Sequence, residues 1–131
     1  MAMPTVLVAD DHSGVRERVL SLLKPSFEVV GTADNGSELI TKALRLRPDV
    51  IVLDITMPLR TGIEAAHELR EAGLKSRFVF LTVHEQPAFL EACFAEGALG
   101  YVTKSHIQKD LVLAIHQAIS GHTFISPSIP R

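Results

Sequence analysis

Along the chain, short unbroken runs of branched apolar residues alternate with stretches whose apolar residues recur every three or four positions. TVLVA at 5–9, FEVVGT at 27–32, VIVL at 50–53, RFVFLT at 77–82 and GYVT at 100–103 are of the first kind. Runs this short and this rich in Val and Ile predict strands buried on both faces. Between them, Val15, Val19, Leu22 and Leu23 keep helical spacing, as do Leu39, Ala43 and Leu46, and Ile63, Ala66 and Leu69. Phe89, Leu90, Cys93 and Phe94 continue the pattern, followed by Leu111, Ala114, Ile115, Ala118 and Ile119. The pattern therefore predicts five strands and five helices in strict alternation. Such alternation implies parallel strands, right-handed crossovers and helices on both faces, a doubly wound five-stranded α/β sheet. The expected strand order is 2-1-3-4-5, the flavodoxin-like arrangement in which the first and third strands meet at the switch point.

Start and stop signals fit these elements. Asn35 with Glu38, Thr61 with Glu64, and Ser105 with Gln108 have the spacing of reciprocal helix caps. Pro87 suits a first helical turn, and Gly73, Gly97 and Gly121 suit helix ends. The final stretch HTFISPSIPR has two prolines and no periodicity. The expected division is thus a domain over 1–122 and a tail, or the start of a linker, over 123–131.

Composition narrows the classes of function. At 131 residues, 47% apolar and 21% charged, the chain is long enough to bury one core and too short for two. A formal charge of −2, with its Lys and Arg scattered, leaves no basic footprint for nucleic acid within this chain. The single cysteine, Cys93, lies on a helical pattern and is expected to be a small buried hydrophobe in a reducing compartment. No stretch approaches a membrane span and MAMPT is not a signal-peptide start, so the expectation is a cytoplasmic protein with no membrane partner.

The chemistry collects where the strands stop. Asp10 and Asp11 follow TVLVA, Asp54 follows VIVL, Thr82 ends RFVFLT, and Lys104 comes directly after GYVT. Taken singly, each has an ordinary explanation: an acid before a helix caps it, a strand threonine packs, and a lysine is solvated. Together, in the 2-1-3-4-5 order, the three acids share one crevice at the carboxyl end of the sheet. Two carboxylates about 4 Å apart repel by roughly 4 kcal/mol at an effective dielectric of 20, so such a cluster needs positive charge. A hard cation with oxygen ligands and room for water and a phosphoryl oxygen points to Mg²⁺, and Lys104 supplies a second positive charge. An aspartate between Mg²⁺ and an ammonium is suited to attack phosphorus, with the Thr82 hydroxyl donating to a phosphoryl oxygen. Asp34 and Asp49 lack partners at matching strand ends and are expected to be turn residues. His12, His67, His84, His106, His116 and His122 show no paired ligand spacing and are expected on the surface or on helices.

VLVADDH, VIVLDITMP followed by TG, FLTVH and GYVTKS, in that order, closely resemble the receiver domain of bacterial two-component response regulators over essentially the whole chain. The resemblance implies that Asp54 is the phosphoacceptor, loaded from the phosphohistidine of a sensor histidine kinase. It implies Mg²⁺ held by Asp10, Asp11 and Asp54 with the main-chain carbonyl of Thr56, Thr82 as the switch hydroxyl, Lys104 as the phosphate-binding lysine, and Tyr101 as the aromatic that reports the switch. Output, including a phosphorylation-dependent homodimer or other association, is expected through the face of the fourth helix, last strand and last helix.

GYVTKS with SGHTFISPSI is similar to the NarL/FixJ subfamily, whose members usually continue into a helix-turn-helix domain. DNA contact would then come through that further C-terminal domain, and a stand-alone receiver is the other reading. Two positions depart from the common pattern. Many receivers carry a cis proline after the lysine, where Ser105 stands here, and a non-proline cis bond costs about 3 kcal/mol, which leaves this loop's geometry open. The residue after the switch threonine is often small, but here it is Val83, which with Thr56 and His84 flanks the approach of water to the phosphoryl group. A haloacid-dehalogenase-type phosphatase also uses a strand-end Asp, Mg²⁺, Thr and Lys. It requires an acid two residues after the nucleophile, where this chain has Thr56, and a late acidic pair where Asp10 and Asp11 come early. A degenerate receiver acting only as a binding module is opposed by the complete set of Asp10, Asp11, Asp54, Thr82 and Lys104.

Overall fold

Each apolar run forms a strand in the computed structural model of the chain, which describes residues 3–129. The order is β1 (Thr5–Ala9), α1 (Ser13–Leu23), β2 (Glu28–Ala33), α2 (Gly36–Leu46), β3 (Val50–Leu53), α3 (Gly62–Glu71), β4 (Arg77–Thr82), α4 (Pro87–Ala95), β5 (Gly100–Thr103), α5 (Ile107–Ile119) and β6 (Phe124–Ile125). The sheet runs β2-β1-β3-β4-β5-β6 with every pair parallel, so the doubly wound α/β order is as expected for the first five strands. Successive side chains of a strand leave opposite faces, which makes two cores. Leu7, Ile51, Leu53, Phe78 and Phe80 pack with Leu39, Ala43, Ala65, Ala66, Leu69 and Cys93, on the side of α2, α3 and α4. Val6, Val8, Val50, Val52, Val79 and Leu81 pack with Val19, Leu23, Leu111, Ala114 and Ile115, on the side of α1 and α5. Full burial of one such side chain contributes about 1.5–3 kcal/mol, which is why every strand reads as an unbroken apolar run.

The structure departs from expectation at the C-terminus. Phe124 N–H donates to Leu99 C=O at 2.8 Å and Ser126 N–H to Tyr101 C=O at 2.9 Å, giving a sixth strand where five were expected, and Ile129 is 3% exposed. Residues 124–126 thus form a strap along β5, continued by a turn that buries Ile129. The physical reason is that β5 would otherwise leave a row of unpaired backbone groups at the sheet edge.

Capping was legible in two cases of three. Thr61 and Glu64 form a complete reciprocal cap, at 2.9 and 3.1 Å. Asn35 Oδ1 accepts from Glu38 N–H at 2.8 Å, while the Glu38 carboxylate reaches one residue further, to Asp34 N–H at 3.1 Å. Ser105 caps nothing. After β5 the chain tightens into a 3₁₀ turn at Lys104–His106, so α5 begins later, with His106 at its N-cap, and the Ser105 hydroxyl turns back to Thr103 Oγ1 at 3.4 Å. No cis peptide occurs among the described residues, so the Lys104–Ser105 bond is trans. Pro87 opens α4, and Gly73, Gly97 and Gly121 adopt φ of +85°, +85° and +80° at helix ends, as their positions predicted.

Candidate functional site

Pairing of β1 with β3 brings Ala9 level with Leu53, so the residues that follow, Asp10 and Asp54, emerge side by side at the carboxyl end of the sheet. Backbone bonds hold both in place: Asp54 N–H donates to Ala9 C=O at 3.1 Å and Asp10 N–H to Ala33 C=O at 3.0 Å. Asp10 is 2% exposed and Asp54 4%, while Asp11 faces outward. Lys104, entering from the turn after β5, sets its Nζ 2.8 Å from Asp54 Oδ2 and 2.8 Å from Asp10 Oδ2. Burial alone would weaken this ammonium's hold on its proton, but the two carboxylates outweigh that cost and raise its pKa above the ordinary lysine value. Asp54 Oδ1 accepts from Ile55 N–H at 2.7 Å, which leaves Oδ2 facing the lysine.

Asp10 is the less satisfied of the pair. Its Oδ1 accepts the His12 N–H at 2.9 Å, but its buried Oδ2 lies outside hydrogen-bonding geometry and has only its ion pair with Lys104. A buried carboxylate oxygen without a hydrogen bond is costly and has a lone pair to give. One ligand atom from each of Asp10, Asp11, His12 and Asp54 fits within a 4.8 Å span, compact enough for one cation. The residues present therefore fit a hard divalent ion.

The loop that carries Asp54 is seated by a close backbone approach. Gly62 N–H donates to Ile55 C=O at 2.8 Å, and a Cβ on Gly62 would lie 1.9 Å from the Asp54 carbonyl oxygen. Only glycine permits α3 to start this close to the strand end.

Around the acids, His84 forms the centre of a second group. Thr82, fully buried, accepts the His84 N–H on Oγ1 at 3.2 Å; Thr56 Oγ1 and His84 Nε2 are 2.9 Å apart; and the imidazole stacks on Phe89 with ring centroids 4.1 Å apart. The Tyr101 hydroxyl donates to His84 C=O at 2.9 Å. Tyr101 is itself 0% exposed, with its phenol pKa raised by burial and then by nearby Cys93, Asp54 and Glu85. The ring is therefore held inside the fold, packed against the loop that carries His84. Val83, between Thr82 and His84, is 67% exposed.

Two residues of the site escaped sequence reasoning. His12 was expected to be an ordinary surface histidine; its side chain is exposed, yet Nδ1 lies 3.1 Å from Asp11 Oδ1 and 3.2 Å from Asp10 Oδ1. Its place directly after the two acids was the available signal. Arg16 donates from Nη1 to the Asp10 carbonyl at 2.6 Å, fixing the loop, one helical turn into α1 where the sequence gives no hint of it. Cys93 is fully buried, with its thiol pKa pushed up to about 12 by burial. Asp49 is tied to Thr5, accepting its N–H at 2.8 Å, and plays a turn role as expected.

A parallel sheet ending in a buried acid pair, a lysine bridging them, and a threonine on the next strand define a receiver-type α/β domain. The chain belongs to the response regulator receiver domain family, whose sequence profile matches residues 6–116. It is 38% identical over 131 residues to the response regulator GacA of Pseudomonas viridiflava, covering 98% of this chain and 61% of that protein. With the nitrate/nitrite response regulator protein NarL of Escherichia coli (strain K12) it shares 37% identity over 127 residues, covering 95% of this chain and 59% of that protein. The chain thus spans about three-fifths of the length of these relatives. Its fold superposes with a TM-score of 0.91 on a two-component response regulator of the LuxR family from Aurantimonas sp. SI85-9A1, at 35% identity, covering 98% of this chain and 93% of the other. Membership is therefore of the NarL/LuxR branch expected from GYVTKS and the residues after it. Among the described residues no helix is long and apolar enough to cross a membrane.

Proposed function

We propose that Asp54 is the phosphoacceptor of this receiver, loaded from the phosphohistidine of a sensor histidine kinase. The observation that carries the reading is the 2.8 Å approach of Lys104 to Asp54 Oδ2 beside a second, under-satisfied carboxylate oxygen on Asp10. An Asp54 oxygen attacks phosphorus; the O–P bond forms as the P–N bond breaks, and the electron pair leaves with the donor imidazole, which takes up a proton. Lys104 holds charge on an equatorial phosphoryl oxygen, and the Thr82 hydroxyl, now accepting from His84, swings to donate to another. Asp10, Asp11 and Asp54, with the Thr56 main-chain carbonyl, would hold Mg²⁺, which when bound neutralises the charge gathered on the phosphoryl oxygens. The histidine His12 beside them adds a borderline donor.

The competing phosphatase reading is not favoured, because Thr56 stands where that chemistry needs an acid. By the resemblance to NarL-type response regulators we further propose output through a helix-turn-helix DNA-binding domain, and a phosphorylation-dependent homodimer through α4, β5 and α5. We propose a receiver domain over 1–122 and, over 123–131, a tail or the start of a linker whose residues Phe124–Ile125 pair with β5. Asp54→Asn is expected to abolish base-labile labelling by a small phosphodonor. Labelling that survives in Asp54→Asn and vanishes in Asp11→Asn would overturn the assignment.

A further inference from the structure

Besides the acids of the site, the described residues bury one more carboxylate, and the chemistry above does not use it. Asp110, in the first turn of α5, is 3% exposed. A charge is costly to bury unless it is hydrogen-bonded, so what holds it bears on its role. Asp110 Oδ2 accepts the Ser126 hydroxyl at 2.8 Å, and Ser126 Oγ in turn accepts the Thr103 N–H at 3.1 Å. Ser126 is 0% and Thr103 1% exposed, so water does not compete for these bonds. Ser126 belongs to the strap. Thr103 is the residue before Lys104.

The network therefore completes the edge of the sheet at one particular point. Up to Tyr101 the strap pairs with β5 by main-chain bonds; at Thr103 the Ser126 side chain takes over as acceptor, and Asp110 fixes that hydroxyl's direction. The chain then turns at once into the 3₁₀ segment from which Lys104 reaches Asp10 and Asp54. The strap holds the backbone N–H of the residue immediately before the lysine.

We propose that Asp110 and Ser126 are positioning residues for Lys104: their clamp on Thr103 ties the C-terminal strap to the turn that aims the lysine at Asp54. Docking of the strap and occupancy of the Asp54 site are then linked, and by reciprocity each shifts the other by the same factor. A force or partner that lifts the strap off β5 loosens the lysine, and an anion held by the lysine secures the strap. The link to phosphorylation rests on Asp54 being the acceptor; the clamp itself does not.

The experiment uses unphosphorylated protein, so that the two readings fail separately. Amide exchange at positions 124 and 126 reports the strap, and acylation of Lys104 by an amine-reactive ester, read by peptide mass spectrometry against exposed Lys75, reports the lysine. Ser126→Ala and Asp110→Ala are expected to speed both several-fold. Asp110→Asn, which keeps an acceptor oxygen for the Ser126 hydroxyl, is expected to stay near wild type. Phe124→Ala gives a second route that loosens the strap without touching the buried network, and it too should raise Lys104 acylation. Faster exchange in the strap with unchanged Lys104 acylation would mean a merely structural role and overturn the clamp, as would no change in either. Failure of wild-type Asp54 to take a phosphoryl label would sink the acceptor assignment alone.

Discussion

Lys104 is held by two acids, and its proton is part of the fold. Because its pKa in the folded chain is raised from the ordinary 10.5, the native state binds that proton more tightly than the unfolded state does. The stability this contributes is complete below about pH 10.5 and is lost as pH rises through the folded value. Urea midpoints measured from pH 8 to pH 11 are therefore expected to fall more steeply for wild type than for Lys104→Met. With Asp54 as the proposed acceptor, the same scale governs the lifetime of the acyl phosphate. Val83 is exposed, branched and apolar, so it can shield phosphorus but cannot position water, whereas Thr56 and His84, hydrogen-bonded to each other, can. Val83→Ala is expected to speed dephosphorylation several-fold, about 1 kcal/mol in barrier, at constant Mg²⁺. Unchanged decay after donor removal would shift attention to Thr56 and His84.

At the level of elements, legibility followed locality. Strands and helices could be read because a period of two or of 3.6 is written into consecutive residues. Asp10, Asp54, Thr82 and Lys104 could be read because each directly follows or closes such a run. β6 could not, since two residues are too few to show a period and their partner strand is distant in sequence. Ser105 misled because a 3₁₀ turn moved the helix start past it, a choice made by the path of the chain toward the acids. Asp110 and Ser126 were invisible for a related reason, lying 16 residues apart and meeting only across the sheet edge. One element junction gives a direct test. A methyl group on Gly62 would collide with the Asp54 carbonyl, so Gly62→Ala is expected to cost about 1–3 kcal/mol, seen as a lower urea midpoint at unchanged slope. Because the displaced backbone is that of Asp54, the labelling rate should fall with it.

Over the whole molecule, the switch we propose couples Thr82, His84 and Tyr101 to the face of α4, β5 and α5. Tyr101 is inside and bonded to the His84 carbonyl, so on the proposed reading phosphorylation acts by strengthening this arrangement and not by drawing the ring inward. Thr82→Ala is expected to leave labelling of Asp54 largely intact while removing the dependence of self-association on phosphorylation, as measured by sedimentation with and without donor. Equal association of the two proteins would assign the coupling elsewhere. The order of the sheet also bears on how the molecule is made. β1 pairs with both β2 and β3, so all three acids can come together from the first 54 residues, whereas the lysine that bridges two of them lies 50 positions beyond Asp54. A nascent or refolding chain that forms this half first meets the repulsion of its carboxylates before it has the means to offset it. A divalent cation from solution would stand in for the lysine during that interval. Refolding of wild type is accordingly expected to accelerate with millimolar Mg²⁺, and stopped-flow traces of Asp10→Asn should lose most of that dependence, which would make the ion an assembly factor before it serves any signal.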